Sequence, residues 1–484
     1  MSELAFRSAS RLAAAIGARE VGCRELLEFY LARVEQHNPA LNAIIVTDLD
    51  QARWRADAAD SALSRGENWG ALHGLPMTVK ESFDVVGMPT TWGLTELKDN
   101  LPLANALAVE RLLGAGAVIF GKTNVPVLLA DSQSYNPIYG TTNNPWNLSL
   151  TPGGSSGGAV AALAAGLTAL EIGSDIGGSI RNPAHYCGVY GHKPTYGIAP
   201  PRGQSLPGNV AASDISVIGP LGRGAHDLAL ALDIIAGPDP IEAAGYRLEL
   251  APPRGKALAD YRIGLMIDDP NCKVDREVQD ILQGLADFLG RAGVRLSDRA
   301  RPDIDTSQLH AVYIKLLRAA TSRRLNDDLF QRQADTARGL DPGDQSYFAR
   351  MVRANTLSHR DWLAANEERH RLRLKWAEFF RDYDLLLCPV TAGAAFPHDH
   401  DGERWERTIL INGNPVPVTD DLFWAGLSGL VYLPTTVIPA GLTAKGLPVG
   451  VQIVGPQYGD RSCIAFAEFL ERAYRGFVPP PNFA

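Results

Sequence analysis

The patterning of the chain predicts an α/β fold: a single large domain, residues 1–484, with a central mixed β-sheet flanked by helices. Three observations carry this. Short apolar runs of strand length alternate with longer segments whose apolar residues recur at helical spacing. The 484 residues are 45% hydrophobic and 21% charged, which leaves ample apolar material for one large core. No internal repeat and no convincing linker divides the chain.

The elements follow in order. Helices are expected over 8–18 and 24–37; in the second, Leu26, Leu27, Tyr30, Leu31 and Val34 form one stripe that Asn38-Pro39 ends. An Ala-rich helix follows at 49–65. Met77-Thr78-Val79 reads as a strand that ends in Lys80, residues 104–113 as a helix and 116–120 as a strand. The small-residue segment 159–165 suits a helix buried against a sheet, before a strand at 170–172. The alternation continues with a helix at 225–235, a strand at 262–266 and a helix at 275–291. Strands at 385–387, 435–438 and 449–453 and a helix at 460–474 complete it. The Pro-, Gly- and Ala-rich stretch 237–253 reads as a surface connection, and 307–380 as a helical cap inserted before the last strands.

Composition excludes several function classes. Net charge is −8 with both signs interleaved and no basic tract, so no nucleic-acid partner is expected. No run of eighteen apolar residues occurs, so no membrane-spanning helix is expected. Residues 1–11 carry Glu3 and lack a basic region followed by an apolar core, unlike a signal peptide. Cys23, Cys187, Cys272, Cys388 and Cys463 show no CxxC spacing. Their odd number in a core-rich chain points to reduced thiols and a cytoplasmic location.

Residues 116–123, Gly-Ala-Val-Ile-Phe-Gly-Lys-Thr, match the phosphate-loop pattern letter for letter. Their four variable positions have strand composition, and Pro126 follows too late to start a helix, so Lys122 and Thr123 are read as structural. His398-Asp399-His400-Asp401 resembles a metal cluster but lies in a polar stretch with no apolar frame to fix its geometry. No metal is expected there. Cys187 reads as a small buried thiol.

Three local features carry chemistry together. Lys80 leaves an apolar strand; partly desolvated, it would have a lowered pKa and could act as a neutral base. Pairing with Glu81 or Asp84 is the competing reading. Thr151-Pro152-Gly153-Gly154-Ser155-Ser156-Gly157-Gly158 sets four glycines around two serines and allows other groups to approach closely. A flexible loop capping the next helix is its alternative. Asp175-Ile176-Gly177-Gly178-Ser179-Ile180-Arg181 places two glycines before a serine. Several backbone N–H groups are then free to point at one developing oxyanion, with an Asp175–Arg181 pair to brace the turn; a plain Gly-Gly turn is its alternative. A serine nucleophile needs something to remove its proton. No histidine or Gly-x-Ser-x-Gly elbow supplies that here, so a lysine acting through a second serine is the chemistry on offer.

Lys80, the Gly-Gly-Ser-Ser-Gly-Gly stretch and Asp-Ile-Gly-Gly-Ser-Ile-Arg resemble the amidase-signature family, serine amidases that include fatty acid amide hydrolase, malonamidase and the glutamyl-tRNA amidotransferase A subunit. The resemblance covers nearly the whole chain, from the helix and turn at 24–42 to Gly446-Leu447-Pro448-Val449-Gly450-Val451-Gln452. It implies a core at about 70–220 and a helical cap at about 305–380. It also implies Ser179 as nucleophile, Ser155 as shuttle (after a cis peptide) and Lys80 as base. The oxyanion hole would be the amides of Ile176, Gly177, Gly178 and Ser179, with Ser156, Asp175 and Arg181 in support. The family uses no cofactor. A small-molecule amide is the implied partner, and a homodimer is compatible, relatives often being dimers.

Leu150, Ala130-Asp131 and His192 depart from the family's usual residues without touching the relay; they bear on substrate identity. Pocket candidates are Leu129, Ala130, Asp131, Tyr135, Ile176, Phe423, Trp424 and Tyr432, whose aromatics would suit an apolar or aryl-bearing substrate. The function implied is hydrolysis of a carboxamide or acylamide to a carboxylate plus ammonia or amine through an acyl-enzyme. The alternative is a glutamine-hydrolysing A subunit of a tRNA-dependent amidotransferase. Against it, Ala349 and Leu422 fall at or near the positions of the arginine and aspartate with which that protein holds its ligand.

Overall fold

The computed structural model describes residues 2–484. An eight-stranded sheet runs in the order Arg295–Ser297, Arg262–Leu265, Leu385–Pro389, Pro448–Val454, Thr435–Leu442, Tyr190–Lys193, Val217–Gly222, Glu171–Asp175. The first three strands pair in parallel and the others antiparallel, so the sheet is mixed. Pro448–Val454 is buried along its length, as its apolar side chains on both faces require. Helices cover the sheet, and the apolar cluster between them includes Trp376, Leu387, Trp424 and Ile453.

A second sheet of three strands, in the order Ile44–Thr47, Val118–Thr123, Pro76–Lys80, was not foreseen in the patterning. Its own apolar cluster joins Leu26, Tyr30, Ala56, Phe120 and Ala161. The two sheets meet through side chains. Thr78 N–H donates to Thr168 Oγ1 at 3.0 Å, and the Thr78 hydroxyl donates to the Glu171 carboxyl. Lys80 therefore comes from one sheet, and the Glu171–Asp175 edge strand from the other. Helix Gly157–Ala164 is buried at every residue. A Cβ at Gly158 would lie 2.3 Å from Asn124 N, so only glycine lets its first turn press against the end of Val118–Thr123.

Several boundaries moved. Helix Cys23–Leu41 passes through Asn38-Pro39 and closes at Asn42, which takes a left-handed conformation and donates its N–H to Asn38 O at 2.7 Å. Pro39 sits in the last turn, so the one hydrogen bond that its missing N–H removes lies near the helix end. Strands Tyr190–Lys193 and Val217–Gly222 escaped notice because Gly191, Gly219 and Pro220 interrupt their apolar pattern. Gly219 is there for space: a Cβ would stand 2.2 Å from His192 O. Helices Thr306–Thr321, Asp327–Gly339, Tyr347–Asn355 and His359–Asp382 occupy the region expected to be helical. Among the described residues, no helix is long and apolar enough to cross a membrane.

Candidate active site

Strand Pro76–Lys80 is buried at every residue and delivers Lys80 to the seam between the sheets. Lys80 Nζ contacts three hydroxyls: Ser155 Oγ at 2.7 Å, Ser156 Oγ at 2.9 Å and Ser174 Oγ at 3.0 Å. It forms no ion pair among the described residues. The Glu81 carboxylate, one competing partner, instead accepts the N–H groups of Thr91 and Trp92. Burial lowers the Lys80 pKa from 10.5 to about 7; the Asp175 charge opposes this and Arg324 adds to it. A neutral amine donates two hydrogens and offers one lone pair, so this amine can exchange a proton with a hydroxyl neighbour without moving.

Ser155 and Ser156 lead into helix Gly157–Ala164, after a cis Gly154–Ser155 peptide. Ser156 N–H donates to Ser179 O at 3.2 Å and ties the two serine loops together. Ser134 Oγ donates to Gly153 O and accepts from Gly157 N–H, both at 3.0 Å, which pins the glycine loop.

Ser179 follows strand Glu171–Asp175. Asp175 accepts from Gly178 N–H at 2.9 Å, Ile180 N–H at 3.1 Å, and Arg181 Nε and Nη2 at 3.0 and 2.9 Å. Burial pushes its carboxyl up, but Arg181 outweighs that and holds it at about 2. Arg181, fully buried, also donates to Ala425 O, Ser428 Oγ and Gln452 Oε1 at 3.0 to 3.1 Å. This saturated pair fixes the turn, but it also takes the Gly178 N–H, one of the four amides expected at an oxyanion. Among the described residues, the N–H groups of Ile176, Gly177 and Ser179 have no protein acceptor. Tyr313 braces the same turn by donating its hydroxyl to Ile176 O at 2.8 Å.

Ser155, Ser174 and Ser179 open onto one cavity of about 780 Å³, which Leu129 and Ile176 also line. The other pocket candidates are not among the residues that line this cavity. Ala130 is exposed. Asp131 pairs with Arg407 at 2.8 Å and accepts the Tyr135 hydroxyl at 3.2 Å in a separate cluster, where Tyr135 stacks on His400. Phe423 and Trp424 pack edge to face in the core, as apolar residues on an all-buried helix must. Tyr432 stands behind the cavity wall, donating to Asp214 at 2.7 Å.

Three residues of the site had no assigned role in the sequence. Ser174 is the third oxygen around Lys80. Gln204 Nε2 donates to Ser174 Oγ at 3.3 Å and Ser82 Oγ at 3.1 Å. Arg324 lines the cavity. Ser174 immediately precedes the Asp175–Arg181 motif; Gln204 lies in a segment to which no element was assigned, and Arg324 in the stretch read only as a helical cap. Glu171, behind Lys80, is pushed up to about 8 by burial.

The phosphate-loop match lies on the buried central strand Val118–Thr123, where Lys122 Nζ donates to Pro89 O at 2.7 Å and Thr90 Oγ1 at 2.8 Å. His192 bridges Thr436 Oγ1 and Asp460 inside the core. Cys187 is buried, which raises its pKa well above the usual thiol range. Among the described residues, no group of three or more His, Cys, Asp or Glu side chains could hold a metal ion.

The profile of the family described as Amidase matches residues 25–464. The chain is 34% identical to the A subunit of the glutamyl-tRNA(Gln) amidotransferase from Anaeromyxobacter sp. (strain K), over 97% of this chain and 96% of that one. It is 32% identical to the indoleacetamide hydrolase of Bradyrhizobium diazoefficiens, over 96% and 86%. Among solved structures, a bacterial aryl acylamidase of the amidase-signature family superposes with a TM-score of 0.81 at 28% identity, covering 97% of this chain and 96% of that one.

Proposed function

The chain belongs to the amidase family and is an amide hydrolase, and from that premise we propose that it acts alone on a small carboxamide or acylamide through a relay of Ser179, Ser155 and Lys80. The observation that carries this is a buried lysine held near neutrality, 2.7 Å from a serine that shares a cavity with Ser179. In this reading, Ser155 passes the Ser179 proton to the neutral amine as Ser179 Oγ attacks the carbonyl carbon. The developing oxyanion takes hydrogen bonds from the amides of Ile176, Gly177 and Ser179. The proton returns along the same path to the leaving nitrogen, and water then hydrolyses the acyl-enzyme. Ser156 and Ser174 hold the amine in place, while Asp175 and Arg181 hold the turn.

The relatives named as amidotransferase components favour a second reading, glutamine hydrolysis within a complex. Two positions weigh against it. Leu422 and Ala349 are apolar and buried, and a Cβ at Gly177 would meet Leu422 Cδ2 at 3.1 Å. Neither offers a charge to an α-amino acid head group. Rates of the purified chain on glutamine, benzamide-type amides and aliphatic amides decide between them. Turnover of simple amides by the chain alone supports the first reading; glutaminase activity that requires partner proteins overturns it.

A further inference from the structure

We infer that the substrate carries an anionic group, with carboxylate chemistry, and that Arg324 receives it in the wall of the cavity that holds Ser155 and Ser179. This rests on the amide-hydrolase reading and adds a substrate class to it.

Three carboxylates and three arginines line the cavity, but none of the carboxylates pairs with Arg324. Of its acidic groups, Asp214 is taken by Arg369 at 2.8 Å and by the Tyr432 hydroxyl, and Asp239 by Arg202 at 2.7 Å. Glu242, at the exposed rim, accepts the Tyr246 hydroxyl at 3.3 Å. Arg324 has no carboxylate partner among the described residues. Its Nη1 donates to Leu128 O at 2.7 Å, and its guanidinium lies 5.4 Å from the Trp92 ring centroid. The backbone carbonyl and the ring hold the fork in one place and leave most of its N–H donors without a protein acceptor. Arg323, also on the cavity, is exposed and likewise forms no ion pair among the described residues.

A half-buried cation without a counter-ion is unfavourable unless something supplies the charge. Burial lowers the Arg324 pKa to about 10, which leaves it protonated at neutral pH. The planar guanidinium matches the two oxygens of a carboxylate. Its field also reaches Lys80, where it helps keep the amine neutral. Both the serine hydroxyls and Arg324 open onto the same cavity, so one ligand can meet both.

The test uses Ser179→Ala protein, which binds without turnover, and isothermal titration calorimetry. The probes are half-amides of dicarboxylic acids of graded length, N-(carboxyalkyl) benzamides, and the methyl ester of each; the two series place the anion on the acyl or the amine side. The expected result is that at least one acid binds about 10- to 100-fold tighter than its ester, in a salt-dependent way. Adding Arg324→Gln should close that gap to within about 3-fold, and Arg324→Lys should restore part of it. Equal binding of acids and esters throughout, or a gap that persists in a folded Arg324→Gln protein, overturns the inference. Wild-type turnover is read separately. Hydrolysis of acids and esters alike, with equal binding, sinks this inference alone, whereas no hydrolysis of any probe overturns the hydrolase reading itself.

Discussion

Acidification is the sharpest perturbation of the proposed relay, because Lys80, the proposed base, is one of several buried groups placed near neutrality: Glu171, Lys122, Lys193 and Asp421 also stand at about 7 to 8. Lys80 stands at about 7 in place of 10.5. At roughly 1.36 kcal/mol per pH unit, that drop amounts to about 5 kcal/mol against the ammonium in this buried seam. About half of the amine is then free at pH 7 and about one hundredth at pH 5. The value of kcat/KM is expected to fall about 50-fold between those two values and to level off above about pH 8. The sign of the linked stability effect runs the same way. A lysine whose pKa is lowered on folding penalises the fold below about 7, and the penalty fades as pH rises toward 10.5. Circular dichroism at each pH therefore has to show that the protein is still folded. Of these, Glu171, pushed up to about 8 by burial, is the confounding group whose charge acts on Lys80. In Glu171→Gln the acid limb near 7 should remain, moved slightly down because the Glu171 charge raises Lys80. A limb that vanishes in Glu171→Gln would refute the assignment to Lys80. So would a rate that keeps rising about tenfold per unit through pH 9, as an ordinary lysine requires.

Lys80→Ala should remove that limb together with most of the turnover; full activity at neutral pH would show that the proton goes elsewhere. Ser179→Ala should abolish hydrolysis while the melting curve stays near wild type, and a fluorophosphonate should label the wild-type peptide that contains Ser179 but not the variant. Asp175→Asn leaves the buried Arg181 charge without its partner and should destabilise the fold by about 3–5 kcal/mol in urea titrations; a loss below 1 kcal/mol would mean that the pair does not hold the turn. Trp424→Ala should cost about 3–5 kcal/mol through its cavity, with KM little moved, since the side chain lies in the core and not on the serine cavity.

Much of the site was legible because its chemistry is written in adjacent residues. Glycines crowd Ser155 and Ser179 within short loops, and a lone lysine ends an apolar strand. The pocket was far less legible. Asp131 and Tyr135 precede the serine loop by some twenty residues and looked like neighbours of the substrate. Arg407, more than two hundred residues away, turns them into an ion-paired cluster of their own. Phe423 and Trp424 looked like an aromatic wall, but their helix is buried on every side, so aromatic character there reflects packing.

The sequence by itself determined the α/β alternation, the identity of the serines and the lysine, and the family to which their spacing points. These are local properties, set by periodicity within an element and by turn chemistry over a few residues. Only the tertiary structure decided that Lys80 and Ser174 belong to different sheets, that Asp175 takes the Gly178 amide, and that Arg324 meets the serine cavity without a counter-ion. Such facts depend on which distant segments the packing of two apolar clusters brings together, and residue spacing along one chain does not report that.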